Sequence, residues 1–261
     1  MGDAMIVAML FEDRSRAESF GAMAELYDRV RPSYPSALVD AALAGAPRRA
    51  LDIGCGTGIA AALLAARGCD VLGVEIDERM AGLARARGID VEVAPFERWD
   101  GRGRLFELAV SGQAWHWIDP VAGARKAATV LEGGGRLALF WNFGSPPREL
   151  AELFEPIYAR LAPGVESYSV LLGGHDARAD TAIAGIAASQ RFEAAELSTF
   201  SWSRRHDTAQ WLEILQTHSD HQALAPTQRE RLLAAVGEAV DSIGGTFEMP
   251  YEAILVSALR R

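Results

Sequence analysis

Apolar positions along this chain follow two rhythms. Short, nearly continuous runs, Ala50–Ile53, Asp70–Val74, Asp90–Ala94, Phe106–Ser111 and Gly135–Trp141, read as strands. Between them, Gly58–Arg67, Glu78–Arg87 and Val121–Val130 carry apolar residues at helical spacing. Strands that alternate with helices predict a mostly parallel sheet with helices on both faces, a Rossmann-like, doubly wound α/β fold. The run Glu132-Gly133-Gly134-Gly135 supplies a tight turn into the fifth strand. Upstream, a helix over about Ala17–Arg29 is broken by Arg31-Pro32-Ser33-Tyr34-Pro35, because each proline restricts the residue before it. Pro35 then suits the start of a second helix, Ser36–Ala44. After Asn142 the rhythm changes. Pro146 and Pro147, a helix over Arg148–Leu161 and a bend at Gly173-Gly174 suggest a cap over the sheet's carboxyl edge. Two further strands, Glu193–Trp202 and Glu252–Leu259, flank helices Thr208–Gln216 and Pro226–Val240. The pattern predicts one domain over residues 1–261, with an N-terminal segment to about 45, a core to about 142 and a helical cap with the last strands beyond.

Composition narrows the function classes. The net charge of -9 comes with no block of like charge, which argues against a nucleic-acid partner, since phosphate binding needs a concentrated basic face. No stretch approaches the ~18 apolar residues of a membrane span. The apolar start Met1–Phe11 carries Asp3 and runs into Glu12 instead of opening on a basic segment, so it reads as an arm and the expected location is cytoplasmic. Two cysteines are too few for a disulfide framework.

The densest chemistry sits in Leu51-Asp52-Ile53-Gly54-Cys55-Gly56-Thr57-Gly58, a strand ending on a carboxylate followed by a turn too tight for large side chains. Such a turn lets backbone approach a cofactor closely. A dinucleotide fingerprint would place its third glycine at 59, where this chain has Ile59. Asp52 would also repel a pyrophosphate, but it suits a cationic ligand without phosphate, such as S-adenosylmethionine. The second strand ends on Glu75, 21 positions after Gly54, where a carboxylate can accept from both ribose hydroxyls. Asp77 is placed to cap the next helix. After the third strand, Phe96 is a candidate for the adenine face and Glu97 for its amino edge. After the fourth, Gln113 is a candidate for the methionine part. Trp115-His116-Trp117 form an aromatic loop suited to a pocket wall. His116 is the candidate general base, or else a residue lining cofactor or substrate. Phe140, Trp141, Phe143 and Tyr168 suggest an aromatic acceptor pocket for a planar or hydrophobic small molecule, or else core packing. His218 and His221, with Asp220 between them, have the spacing of metal ligands but no third strong ligand nearby, so they read as a polar helix end and no metal is expected. His175 has no context that assigns it a role.

On these residues the chain resembles the class I S-adenosylmethionine-dependent methyltransferases, and within them the small-molecule branch typified by trans-aconitate methyltransferase-like enzymes. Leu51–Gly58 with Glu75 carries the superfamily resemblance. Tyr27 with Arg31–Pro35, Ala114–Trp117, Thr217-His218-Ser219 and Pro250-Tyr251 carry the branch. The resemblance implies that Asp52, Gly54, Cys55 and Gly56 line the methionine end, while Glu75 and Ile76 hold the nucleoside. It implies a lid bearing Tyr27, Arg31 and Tyr34, and an acceptor side bearing Tyr34, Trp115, His116 and Trp141. It further implies seven strands, with Glu252–Leu259 antiparallel between the fifth and sixth. Pro95 departs from the small or polar residue expected after the third strand. The implied reaction is in-line methyl transfer to a small organic acceptor, leaving S-adenosylhomocysteine. The protein's main work would be alignment and desolvation. Two alternatives stand beside it: an NAD-linked oxidoreductase, against which Ile59 and Asp52 count, and a cofactor-binding regulatory protein without turnover.

Overall fold

The structure, a computed structural model, describes residues 21, 23–163, 165 and 177–261. The arm at Met1–Phe11, the start of the first helix at Ala17, the Gly173-Gly174 bend, Tyr168 and His175 lie outside the described residues.

Among the described residues seven strands form one sheet. They are β1 (Arg49–Ile53), β2 (Asp70–Glu75), β3 (Asp90–Val93), β4 (Phe106–Gly112), β5 (Leu131–Gly144), β6 (Glu196–Asp207) and β7 (Thr246–Leu259). Their order is β3-β2-β1-β4-β5-β7-β6. β1 to β5 pair in parallel, whereas β7 runs antiparallel to both β5 and β6. This is the expected Rossmann-like sheet with its antiparallel last strand. The order reverses between β1 and β4, and a ligand cleft forms at such a switch point beyond the carboxyl ends.

Period-two alternation sorts the strand residues between two cores. Leu51 and Ile53 of β1 pack with α5 (Pro120–Val130) and α7 (Ala177–Ser189). Ala50 points the other way, into the cluster made by α2 (Ser36–Ala42), α3 (Ile59–Ala65) and α4 (Glu78–Ala86). Asp52 shares the parity of Ala50, so a carboxylate is driven to the end of a buried strand face. A third cluster holds the cap: α1 (Ala24–Val30), α6 (Arg148–Leu161), α8 (Thr208–Gln216) and α9 (Pro226–Ser242), with the start of β7. No helix among the described residues is long and apolar enough to cross a membrane.

Two differences from the sequence reading have clear causes. β7 begins at Thr246, six residues before the expected Glu252, and it runs through Pro250. β5 ends at Gly144↔Tyr251, and beyond it the Ser145 amide donates to the Pro250 carbonyl at 3.0 Å, so from Met249 back to Thr246 the strand pairs with β6 alone. Proline is tolerated there because it sits on a local edge. Helix α7 was not expected, because its buried face is mostly alanine with Gly185 and Ile186 and carries a weak periodic signal. It packs on α5 closely enough that a Cβ at Gly185 would lie 2.5 Å from the Pro120 side chain.

Candidate functional site

One cleft of about 1250 Å³, counting its open mouth, lies over the carboxyl ends of β1, β2 and β4. Its floor is the glycine turn. Gly54, Gly56 and Gly58 all have positive φ, of 67°, 56° and 83°. Gly54 also admits no side chain, since a Cβ there would meet Ala114 at 2.6 Å. The turn is stapled to β2 by the amides of Gly54 and Cys55, which donate to the Val74 carbonyl at 2.8 and 3.2 Å. Cys55 is a buried free thiol, and burial, followed by the charges of Asp52 and Glu75, pushes its ionisation far above the ordinary range.

The two strand-end carboxylates differ sharply in how they are held. Glu75 accepts the Gly56 amide on Oε2 at 2.8 Å, and the Ile76 and Asp77 amides on Oε1 at 2.9 and 3.0 Å. Burial raises its pKa, and these amides act against that rise. With both Oε1 sites taken, the carboxylate retains acceptor capacity only on Oε2. Asp52 is fully buried, and neither of its oxygens has a hydrogen-bond partner. The Ala61 amide exerts a weak pull without reaching bonding geometry. Burial first, and Glu75 second, raise the Asp52 pKa to about 7. The buried Thr57 hydroxyl beside them is also without a partner. Unsatisfied polar groups at the foot of a cleft are what a missing ligand would satisfy.

Most of the expected site residues come together in these walls: Tyr27, Arg31, Tyr34, Asp52, Gly54, Cys55, Gly56, Glu75, Ile76, Phe96, Glu97 and Gln113. Phe96 serves double duty, as it also belongs to the buried core. Pro95, the departure noted above, lines the cleft and opens the short 3-10 turn Phe96–Arg98. Asp77 caps α4 as expected, accepting from the Arg79 and Met80 amides. Gln113 adopts a positive φ of 56°, with its side-chain amide donating to the Asn142 carbonyl at 2.9 Å. A non-glycine residue in that region is held there by its surroundings.

Three expected acceptor-side residues are not in the walls. Trp115 and Trp141 are buried in the core, and His116 sits outside the cleft with Trp141 Nε1 donating to its Nδ1 at 3.3 Å. The cause is local. Trp115–Trp117 is a 3-10 turn, and at about three residues per turn its first and third side chains diverge. Trp115 turns inward beneath α5, and Trp117 faces the cleft in its place. Of the other aromatics, Phe140 is buried and meets Tyr34 edge-on at 4.7 Å, while Phe143 packs on the core beneath Arg178.

The lid segment is clasped from two sides. Arg31 Nε donates to Thr217 Oγ1 and its Nη2 to the Thr217 carbonyl, both at 2.8 Å, with the guanidinium over the Tyr27 ring. Asn142 donates to the Ser33 carbonyl at 2.9 Å and accepts from Trp202 Nε1. Gly112 leaves room for the Tyr34 hydroxyl, which would lie 2.8 Å from a Cβ there. Burial, then the Tyr27 and Asp52 charges, hold the Tyr34 pKa well above its ordinary value. Trp117 lines the cleft, as the aromatic loop was expected to, whereas Met80 of the walls, the Thr57 hydroxyl and Asn142 behind them were not picked out from the sequence. Asn142, a polar residue closing the apolar run of β5, was the most visible signal among them.

His218, Asp220 and His221 lie close enough for their ligand atoms to fall within 4.8 Å of one another. His221 is buried in the short helix Ser219–Gln222, and both ring nitrogens are engaged, with Tyr158 at 2.9 Å and Asp220 at 2.9 Å.

Comparison with known proteins points in the same direction. Residues 51–139 match the family model of a methyltransferase domain. An uncharacterized methyltransferase of Mycobacterium tuberculosis is 39% identical over 132 residues, covering 49% of this chain and 54% of its own length. A probable S-adenosylmethionine-dependent methyltransferase of Saccharomyces cerevisiae is 29% identical over 132 residues, covering 46% and 45%. The chain thus spans about half the length of the curated relatives it matches. A provisionally assigned type II methyltransferase from Anaeromyxobacter dehalogenans has a similar structure, with a TM-score of 0.62 and 25% identity over 88% of this chain and 96% of that one.

Proposed function

We propose that the protein is an S-adenosylmethionine-dependent methyltransferase that acts on a small organic acceptor by in-line displacement, in the small-molecule branch of the class I enzymes. The observation that carries the reading is the pair of buried carboxylates, Asp52 and Glu75, at the floor of the switch-point cleft, one of them without any partner. That floor suits a cation and opposes a pyrophosphate, which separates the reading from an NAD-linked one. The matched methyltransferase segment, residues 51–139, contains both carboxylates and the glycine turn.

When bound, the donor supplies a methyl group on a sulfur already activated by its positive charge. The chain's residues then position and enclose. The free capacity of Glu75 Oε2 serves a ribose hydroxyl, and Ile76, Phe96 and Glu97 form the nucleoside wall. Asp52, Gly54, Cys55, Gly56 and Gln113 surround the methionine end. Tyr27, Arg31 and Tyr34 stand at the mouth, with Arg31 anchored to Thr217, where they would shield the reacting centre from water. Trp117 takes the acceptor-side place expected of Trp115. His116, bonded to Trp141 outside the walls, buttresses the 3-10 turn and is not assigned as a base. Alignment alone supplies much of the acceleration when the leaving group is this good. The lid over the cleft and the acidic surface favour a small acceptor over a nucleic acid.

Calorimetric titration with S-adenosylhomocysteine, with NAD in parallel, tests the proposal. Saturable binding of the first and none of the second is expected. Binding of NAD, or of neither, would overturn it, and binding without turnover on any screened acceptor would support the regulatory alternative.

A further inference from the structure

The sheet has two edges, and they are guarded differently. β3 is only four residues long and carries Asp90 and Glu92, the latter paired with Arg104. β6, at the other edge, runs twelve residues. Its register with β7 is continuous, without a bulge, and among the described residues no strand pairs with its outer side. Open edges are normally blunted by a charge, a proline or a bulge, because a row of free amides and carbonyls is a template for another strand. From Leu197 to Ser203 β6 has no charge, no proline and no glycine, and Leu197 is 50% exposed.

The ladder tells which backbone groups are open. Thr208 donates to the Gly245 carbonyl, one step beyond the pair Asp207↔Thr246. Residues of an antiparallel strand bond alternately to one side and the other. The even residues of β6 therefore bond to β7, and Leu197, Thr199, Ser201, Ser203 and Arg205 turn their amides and carbonyls outward. The Pro250 carbonyl gives the same parity independently: it accepts from Ser145 on the far side of β7, and its partner on β6 is Ser203.

We infer that β6 is a homodimer interface, pairing antiparallel with β6 of a second copy of this chain about a two-fold axis. The strand's own charges select that occupant. Opposed residues of an antiparallel pair share a face, so a symmetric pair matches even residues with even and odd with odd. Glu196 and Arg204 carry the charges of the even face, and among the described residues neither has an ion-pair partner; Arg204 bonds the uncharged Val30 carbonyl. With Phe200 opposite Phe200 of the second copy, each Glu196 stands opposite an Arg204, and both pairs form at once. A slip of two residues in either direction loses both. The same register sets Leu197 opposite Ser203 and Thr199 opposite Ser201, all residues with outward backbone groups. Hydrogen bonds and charges thus agree on one alignment. Doubling the seven-stranded sheet in this way consumes the open β6 edge of each copy, so assembly stops at two.

Analytical ultracentrifugation of the intact chain over a concentration series, without ligand, is the test. The parent protein is expected to sediment as a dimer that dissociates on dilution. Ser201→Pro removes an outward amide and puts a ring on the open edge without touching a bond to β7, so it should give a monomer whose urea midpoint is little changed. Glu196→Arg sets like charges opposite each other and should weaken the dimer about tenfold, and adding Arg204→Glu should restore it. A parent that stays monomeric at every concentration would overturn the inference. So would a dimer that survives Ser201→Pro, which would place the contact on another face, and so would growth beyond two copies. Should the double variant fail to fold, Ser201→Pro and Glu196→Arg decide between them.

Discussion

The carboxyl edge of the sheet and the helical cap each bury a titratable side chain that lacks a full set of partners, and the two deal with it in opposite ways. Asp52 is an acid, and burial holds it protonated up to about pH 7. His206 is a base on β6, enclosed by Trp211, Phe247 and Tyr251, and burial holds it unprotonated down to about pH 4. Its Nε2 meets the Tyr251 hydroxyl at 3.2 Å, and its Nδ1 has no partner. In both places the neutral form avoids the cost of a buried charge. What differs is access. His206 is sealed in a core, so its orphaned nitrogen is a fixed cost of packing, whereas Asp52, equally buried, lies against the floor of a cleft. A buried orphan indicates binding chemistry only when a cavity reaches it.

The largest effect that would sharpen the contrast falls on a residue that only resembled a site residue. Trp141→Ala should cost about 4 kcal/mol of stability by emptying the core, with donor affinity in the surviving folded protein little changed. Trp117→Ala should do the reverse, and chemical denaturation beside ligand titration distinguishes them. Next comes Glu75→Ala, which strips the Gly56, Ile76 and Asp77 amides of their acceptor. Donor affinity should fall about a hundredfold and stability by about 2 kcal/mol, because the glycine turn loses one of its ties to β2 and buried amides are left unpaired. Unchanged affinity would remove Glu75 from the site.

The pH dependence of ligand-free stability sets Asp52 directly against His206. Between about pH 4 and 6.5 the unfolded chain protonates His206 but the fold does not, so this histidine's contribution is lost as pH falls through that window. Asp52 has the opposite sign: from its ordinary value of 3.8 up to about 7 the unfolded chain ionises it and the fold does not, so its contribution is lost as pH rises. The two slopes oppose each other in the parent protein. Asp52→Asn should therefore expose a stability that rises with pH by roughly 2 kcal/mol across the window, and His206→Gln one that falls by a similar amount. Urea midpoints at pH 4.5 and 6.5 measure both, and two variants with the same slope would break the comparison. The smallest effect belongs to the lid clasp. Thr217→Val should weaken donor binding about fivefold and cost about 1 kcal/mol or less, since Arg31 keeps its bond to the backbone carbonyl.

Much of this molecule was legible in the chain because its signals are local. The glycine turn, the acids closing β1 and β2 and the helix spacing between strands each depend on residues a few positions apart, so the sheet and the floor of the cleft could be read directly. Helix α6 (Arg148–Leu161) and helix α8 (Thr208–Gln216) have the boundaries expected of them. The aromatic residues could not be sorted this way. A tryptophan has the same hydrophobicity in a core as in a cleft wall, and only the 3-10 geometry of Trp115–Trp117 sends the first inward and the third toward the cleft. The sequence also marked Glu75 as a candidate ligand residue without showing that three backbone amides already hold it. That a strand-end acid would stand at residue 52 is a property of the chain. That it would stand without a partner, in reach of a ligand and out of reach of any cation, was decided only when β2, the lid and the cap closed around it.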